Sequence, residues 1–254
     1  MYLVSWNRIG TDPLLLDGDV GVPRARAIGA ALERVAVPVL ALRGGRAEPL
    51  ASGALYLLGT SLLLLTCRHL FDDGASAGDL GLPLGDSGRI LWLRTARPRV
   101  LVDPQADLAA IRIGCRRSAA LLRRHWRAAP FEALASEARS RTYVFAGFPY
   151  AQIRRVGAAL HARPVVVFAR GQPWGAQIKV DYRRIARRAD GLEIHAPALD
   201  GVSGATLWAV IDDGGGTVDC VLQPAAVQSS FKHDAYVRAE PVGPFFRLLR
   251  SRLA

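Results

Sequence analysis

The sequence predicts a mostly β chain: two blocks of short strands, preceded by an N-terminal extension with a short helix and closed by a C-terminal helix. Three observations lead there. Short apolar runs recur between Gly- and Pro-rich turns, the spacing of a barrel or sandwich. A basic stretch with helical spacing divides those runs into two groups. The chain then closes on an amphipathic segment over 245–251.

The elements follow in order. Residues 1–36 read as an extension: an Asp- and Gly-rich loop, then a helix from Pro23 to about Val35, with proline suited to a first helical turn. The first block, 37–128, holds strands at 37–42, 53–58, 61–66, 89–94 and 107–113. A helical, basic connector is expected over 116–139. The second block, 129–254, holds strands at 142–149, 164–168, 176–180, 192–195, 206–211 and 217–222. The last two flank Asp212-Asp213-Gly214-Gly215-Gly216, which reads as a hairpin turn. No internal repeat is visible by sequence.

Composition narrows the class. The chain has 254 residues, half of them hydrophobic, enough for one large or two small β units. Net charge is +11, and Lys179 and Lys232 are the only lysines. Arginine, alanine, leucine and glycine in this excess suit a GC-rich bacterial coding sequence, and a solvated basic surface is the plain reading of the charge. Cys67, Cys115 and Cys220 are odd in number and lack C-x-x-C spacing, which suggests free thiols in a reducing compartment. The start of the chain lacks a signal-peptide pattern, and the longest apolar run, near 55–65, is too short to span a bilayer. A cytoplasmic monomer is the expectation.

Three polar residues stand in informative surroundings. His69 follows the apolar run that ends at Thr66, where a side chain can enter a cleft while its backbone stays anchored. Asp107 heads an almost wholly apolar strand, a costly place for a carboxylate unless it is paired. Ser203 sits between Gly201 and Gly204, which let the backbone bend tightly around a hydroxyl. A serine is a poor nucleophile until an imidazole takes its proton, and the imidazole needs a carboxylate to fix its tautomer. The amides of Gly201 and Ser203 could converge on a developing oxyanion. Two other serines compete. Gly74-Ala75-Ser76-Ala77-Gly78 lacks the strand and helix that a nucleophile elbow requires, and Gly85-Asp86-Ser87-Gly88 precedes Asp107 and reads as a turn.

On these residues the chain resembles the trypsin/chymotrypsin-like serine peptidase superfamily, in particular its compact, disulfide-free bacterial members. Thr66-Cys67-Arg68-His69 is similar to the family's Thr-Ala-x-His segment, and Ala106-Asp107-Leu108-Ala109 to its Asp-(Ile/Leu)-Ala strand. Asp200-Gly201-Val202-Ser203-Gly204-Ala205 is similar to its Gly-x-Ser-Gly-Gly segment, and Ala146-Gly147-Phe148-Pro149 to a turn early in the second barrel. The resemblance spans about 37–250. It implies two six-stranded antiparallel β-barrels, with His69 and Asp107 in the first and Ser203 in the second. The chain departs from the family pattern at Leu70, Val202 and Ala205. Val202 replaces the acidic residue that pairs with a freed N-terminus, so activation by N-terminal cleavage is not implied. Pro197 stands where trypsin-like enzymes carry the Asp that reads Arg or Lys. Pro197 and Asp200 are the candidate specificity residues, with a lean toward small or apolar side chains.

The implied function is a serine endopeptidase acting on protein or peptide through His69, Asp107 and Ser203, without metal or cofactor. A regulatory protein partner and regulated activation fit the resemblance. The first rival is a catalytically silent peptide-binding module that keeps the cleft. The second, disfavoured, is nucleic-acid binding through Arg116, Arg117, Arg123, Arg124, His125, Trp126 and Arg127 or through Arg183, Arg184, Arg187 and Arg188, since no recognised nucleic-acid motif accompanies them. No membrane association is expected.

Overall fold

A computed structural model describes residues 5–8, 14–15, 20–72, 75–85, 87–135, 140–157, 159–212 and 220–253. The first group of strands is β1 (Ala36–Arg43), β2 (Arg46–Leu58), β3 (Ser61–Thr66), β4 (Leu80–Pro83), β5 (Ile90–Trp92), β6 (Pro98–Val102) and β7 (Ala109–Ile113). They hydrogen-bond in the order β5-β4-β1-β2-β3-β7-β6. The second group is β8 (Thr142–Gly147), β9 (Val165–Trp174), β10 (Gln177–Tyr182), β11 (Thr206–Asp212), β12 (Cys220–Lys232) and β13 (Ala235–Pro241). These close on themselves as β8-β9-β10-β13-β12-β11-β8, a six-stranded antiparallel barrel with no free edge.

In both groups the third strand pairs with the last and the first with the fourth; β5 is an additional strand paired antiparallel on β4. The first group lacks only a ladder between β6 and the β4–β5 side, so it is a half-barrel around the same path. This is the two-barrel, chymotrypsin-like architecture. The repeat absent from the sequence is present in the strand order.

Burial explains the texture of the runs. In β3, Leu62, Leu63, Leu64 and Leu65 are all buried, so both faces are covered and no polar alternation is needed. Helix α1 (Val22–Leu32) has Pro23 in its first turn and buries Ala25, Ile28 and Leu32 in the same apolar cluster as β1–β4. The terminal helix α3 (Val242–Leu253) buries Val242, Phe245, Phe246 and Leu249. Phe246 packs on Phe131 with ring centroids 4.7 Å apart.

The connector is shorter than its periodicity suggests. Helix α2 covers Arg116–His125 and stops because Trp126 turns extended, with φ −128° and ψ 144°. Its indole Nε1 donates to Pro83 O at 2.6 Å, and Ala129–Pro130 then pairs alongside β2. Burying that indole with its donor satisfied outweighs continuing the helix. The two competing serines are turn residues. Ser76 caps the 3-10 turn Ala77–Asp79 through Gly78 N, and Ser87 Oγ donates to Leu84 O at 2.6 Å beneath the β4–β5 hairpin. The strands flanking the expected hairpin pair antiparallel, with Asp212 opposite Cys220, and the turn residues 213–216 lie outside the described ones. No helix among the described residues is long and apolar enough to cross a membrane.

Candidate functional site

Antiparallel pairing of β3 with β7 places the first two candidates. Thr66 lies opposite Ala109, and the ladder runs on past the strand ends, where Arg68 N donates to Asp107 O at 3.3 Å. The chain then turns into a short 3-10 segment beginning at His69. Asp107 grips that residue twice: Oδ1 accepts His69 N–H at 2.8 Å, and Oδ2 lies 2.6 Å from Nδ1. A carboxylate on Nδ1 fixes the tautomer with that proton toward Asp107 and leaves Nε2 as the acceptor on the other side of the ring. Cys67 Sγ lies 3.5 Å from Nε2.

These contacts set the charge of the ring. The Asp107 bond, assisted by the one from Cys67, raises the His69 pKa from its ordinary 6.5 to about 10, while partial burial acts the other way. Nearby, Glu240 on β13 is buried and accepts Gln177 Nε2 at 2.5 Å. Burial pushes its carboxyl up, and the charge of Asp107 adds to this.

Ser203 lies on the loop that leads into β11. Val202 N donates to Leu199 O, Ala205 N to Val202 O and Gly204 N to Gln228 O, each at 2.8–2.9 Å. Among the described residues no such backbone bond engages the amides of Gly201 and Ser203, the two expected to face an oxyanion. Gly201 and Gly204 have φ of +91° and +90°, a region that favours glycine. A Cβ on Gly201 would fall 2.4 Å from the Tyr150 ring, and one on Gly204 would fall 3.1 Å from Cys67 N. The serine loop therefore lies directly against the segment that carries Cys67 and His69. Among the described residues, no hydrogen bond joins Ser203 Oγ to His69 Nε2.

Two residues that sequence reasoning missed hold this loop. Ser52, fully buried on β2, donates from N to Ser203 O at 2.8 Å and from Oγ to Gly201 O at 2.9 Å. Its Oγ also accepts Phe148 N at 3.0 Å, and its carbonyl accepts Thr66 Oγ1 at 2.8 Å. One small side chain thus ties the half-barrel to the second barrel beneath the nucleophile loop. Tyr150 accompanies it: its N donates to Asp200 O at 2.7 Å and its OH to Leu50 O at 2.6 Å. No local motif marks Ser52; a polar residue inside an apolar strand is the only signal. Replacing Ser52 by alanine leaves Phe148 N without that acceptor. We expect a loss of about 1–3 kcal/mol in urea unfolding and a fall in any turnover, because Gly201 O is released too.

The two specificity candidates part company. Pro197 O accepts the Tyr182 hydroxyl, and Pro197 lines a cavity of about 660 Å³ with Gln152, Arg163, Val165 and His195. Asp200 is exposed beside Tyr150. Among the described residues no group of three His, Cys, Asp or Glu side chains is arranged to hold a metal ion.

No family model and no curated protein sequence matches the chain. Among solved structures it is similar to a serine protease of human pathogenic astrovirus, at 14% identity and TM-score 0.42, over 82% of this chain and 90% of that one. It is similar to a structure from work on the intrinsically disordered VPg protein of Sesbania mosaic virus, at 12% identity and TM-score 0.47, over 90% of each chain. The Drosophila Grass clip serine protease of the Toll pathway gives 12% identity and TM-score 0.49, over 87% of this chain and 68% of that one. The fold assignment rests on the strand order above, and the likeness says nothing of activity.

Proposed function

We propose that the chain is a serine endopeptidase in which Ser203 attacks a peptide carbonyl and His69 moves the proton. Asp107 orients His69, and the amides of Gly201 and Ser203 hold the oxyanion. The observation that carries this reading is the double grip of Asp107 on the His69 main chain and Nδ1, at 2.8 and 2.6 Å. A structural ion pair needs only one such contact; two fix both the position and the tautomer of the imidazole. The tetrahedral adduct formed on Ser203 Oγ would collapse to an acyl-enzyme by breaking its C–N bond, His69 protonating the departing amine, and water activated by the same imidazole would then hydrolyse the ester and release the acid. Peptide or protein is the proposed substrate, and the cavity beside Pro197 and the exposed Asp200 are the proposed determinants of choice.

Reaction of the purified protein with a fluorophosphonate probe tests this. Labelling at Ser203 that disappears in Ser203→Ala and His69→Ala is the expected result. A folded protein left unlabelled under turnover conditions would favour the silent peptide-binding reading.

The raised basicity of His69 gives a pH signature. As a base the ring must be neutral, so kcat/KM should climb through the alkaline range instead of levelling near pH 7. Replacing Cys67 by alanine removes the second contribution to the raised pKa, so the climb should move to lower pH. Superimposable profiles of the two proteins would contradict the prediction.

A further inference from the structure

The arginines of the half-barrel stand where stability disfavours them. On β6 and β7, Arg99 and Arg112 are directly opposite in an antiparallel pair, a position in which like charges repel. At the next bend Arg97 takes a left-handed conformation, φ 51° and ψ 63°, rare for a residue with a side chain. Its carbonyl accepts Gly114 N, which ties this bend to the start of α2. There Arg116 and Arg117 occupy the first turn, with no acidic residue in it, against the positive end of the helix dipole. Three independent placements work against folding on one contiguous stretch, and such local conflicts mark functional surface.

Acidic residues are sparse along this part of the sequence. None of the stretches 93–102, 109–113 and 116–127 contains Asp or Glu. The next acids along the chain are engaged elsewhere: Asp103 in a turn with Gln105 N and Ala106 N, and Asp107 on His69. Among the described residues none of these arginines makes an ion pair.

The shape of the face selects the partner. Helix α2 buries Ser118, Ala119 and Leu122 and leaves Arg116, Arg117, Arg123 and Arg124 exposed. Trp126, beyond its end, is buried, and no large hydrophobic residue is exposed on the helix. A protein partner would need apolar anchors, and single-stranded nucleic acid would need aromatic platforms; the face offers neither. It offers guanidinium forks, suited to phosphate oxygens, in two pairs seven residues apart. That spacing is about 10 Å along the helix axis, close to the ~12 Å width of the B-DNA major groove.

We infer that the face formed by Arg97, Arg99, Arg112 and the exposed arginines of α2 docks the phosphate backbone of duplex nucleic acid, independently of sequence. The inference does not rest on the proposed peptidase activity. The face gathers around the Ile113 end of β7, the end remote from Asp107.

Fluorescence anisotropy with a short labelled DNA duplex tests it. Binding at about 50 mM salt should weaken by roughly 10²–10³-fold at about 200 mM, as expected for some five phosphate contacts. The combined variant R116E/R117E/R123E/R124E should weaken it by about 30-fold or more, while R183E/R184E/R187E, in the segment that follows β10, should change it little beyond the net-charge effect. Circular dichroism confirms that both variants fold. Absence of duplex binding at low salt, equal losses in the two variants, or tighter binding to anionic vesicles or polyglutamate than to duplex would overturn the inference.

Discussion

Replacing Ser203 by alanine should lower kcat by about 10⁶, and replacing Asp107 by asparagine by about 10⁴, with both proteins folded. The first loss removes the nucleophile. The second keeps the shape of the carboxylate but presents an amide to His69 Nδ1, where Oδ2 now lies at 2.6 Å. An amide nitrogen there favours the tautomer with its proton on Nε2, and the imidazole can no longer take the serine proton. A stability measurement separates this from simple unfolding. The folded-state pKa of His69, about 10, lies above its ordinary 6.5. The ion pair with Asp107 therefore contributes fully below pH 6.5, and its contribution is lost as pH rises toward 10. His69 is substantially solvent-exposed, so screening keeps the effect modest. The wild-type melting temperature should fall across that window, and the fall should be smaller in Asp107→Asn. Equal activity in Asp107→Asn and wild type would remove Asp107 from the proposed triad.

How much of this could be read in the sequence depends on where the determining contacts lie along the chain. Strands such as β3 and β8 announce themselves, because burial on both faces leaves uninterrupted apolar runs. β4, β6 and β13 do not: Gly81, Pro98 and the charged pair Arg238 and Glu240 break the pattern. What makes them strands is pairing with β1, β7 and β12, which is non-local. β2 and β12 run far longer than their apolar stretches, because each carries a register shift along its ladder that the composition does not show. The three polar candidates were legible because each lies just outside a strand, with glycine or apolar neighbours that narrow its role. Ser52 was not. Its importance comes from partners about 100 and 150 residues away, and nothing within a local window distinguishes it from an ordinary strand serine. The like-charged Arg99–Arg112 pair was hidden for the same reason: register, not sequence proximity, creates it.

Among the described glycines, Gly204→Ala should be the most damaging. The added Cβ would sit 2.2 Å from both Ser52 O and Thr66 Oγ1, and φ of +90° already excludes a comfortable fit for an L-residue. Neither neighbour can step aside. Ser52 O is main chain, and Thr66 Oγ1 is held by its own bond to that carbonyl. Relief requires moving the serine loop away from β2 and β3, which breaks the bonds from Ser52 N to Ser203 O and from Ser52 Oγ to Gly201 O. Overpacking and backbone strain together should cost about 3 kcal/mol or more. For a chain of this size that lowers the melting temperature by about 6–12 °C. The same displacement carries Ser203 and both candidate oxyanion amides away from His69, so probe labelling should fail even in the fraction that remains folded. Ser203→Ala should instead lose labelling at wild-type stability. The contrast between the two variants separates loss of the nucleophile from loss of the loop that aims it. If Gly204→Ala melted and labelled like the wild type, the loop could not be seated against β2 and β3 as described.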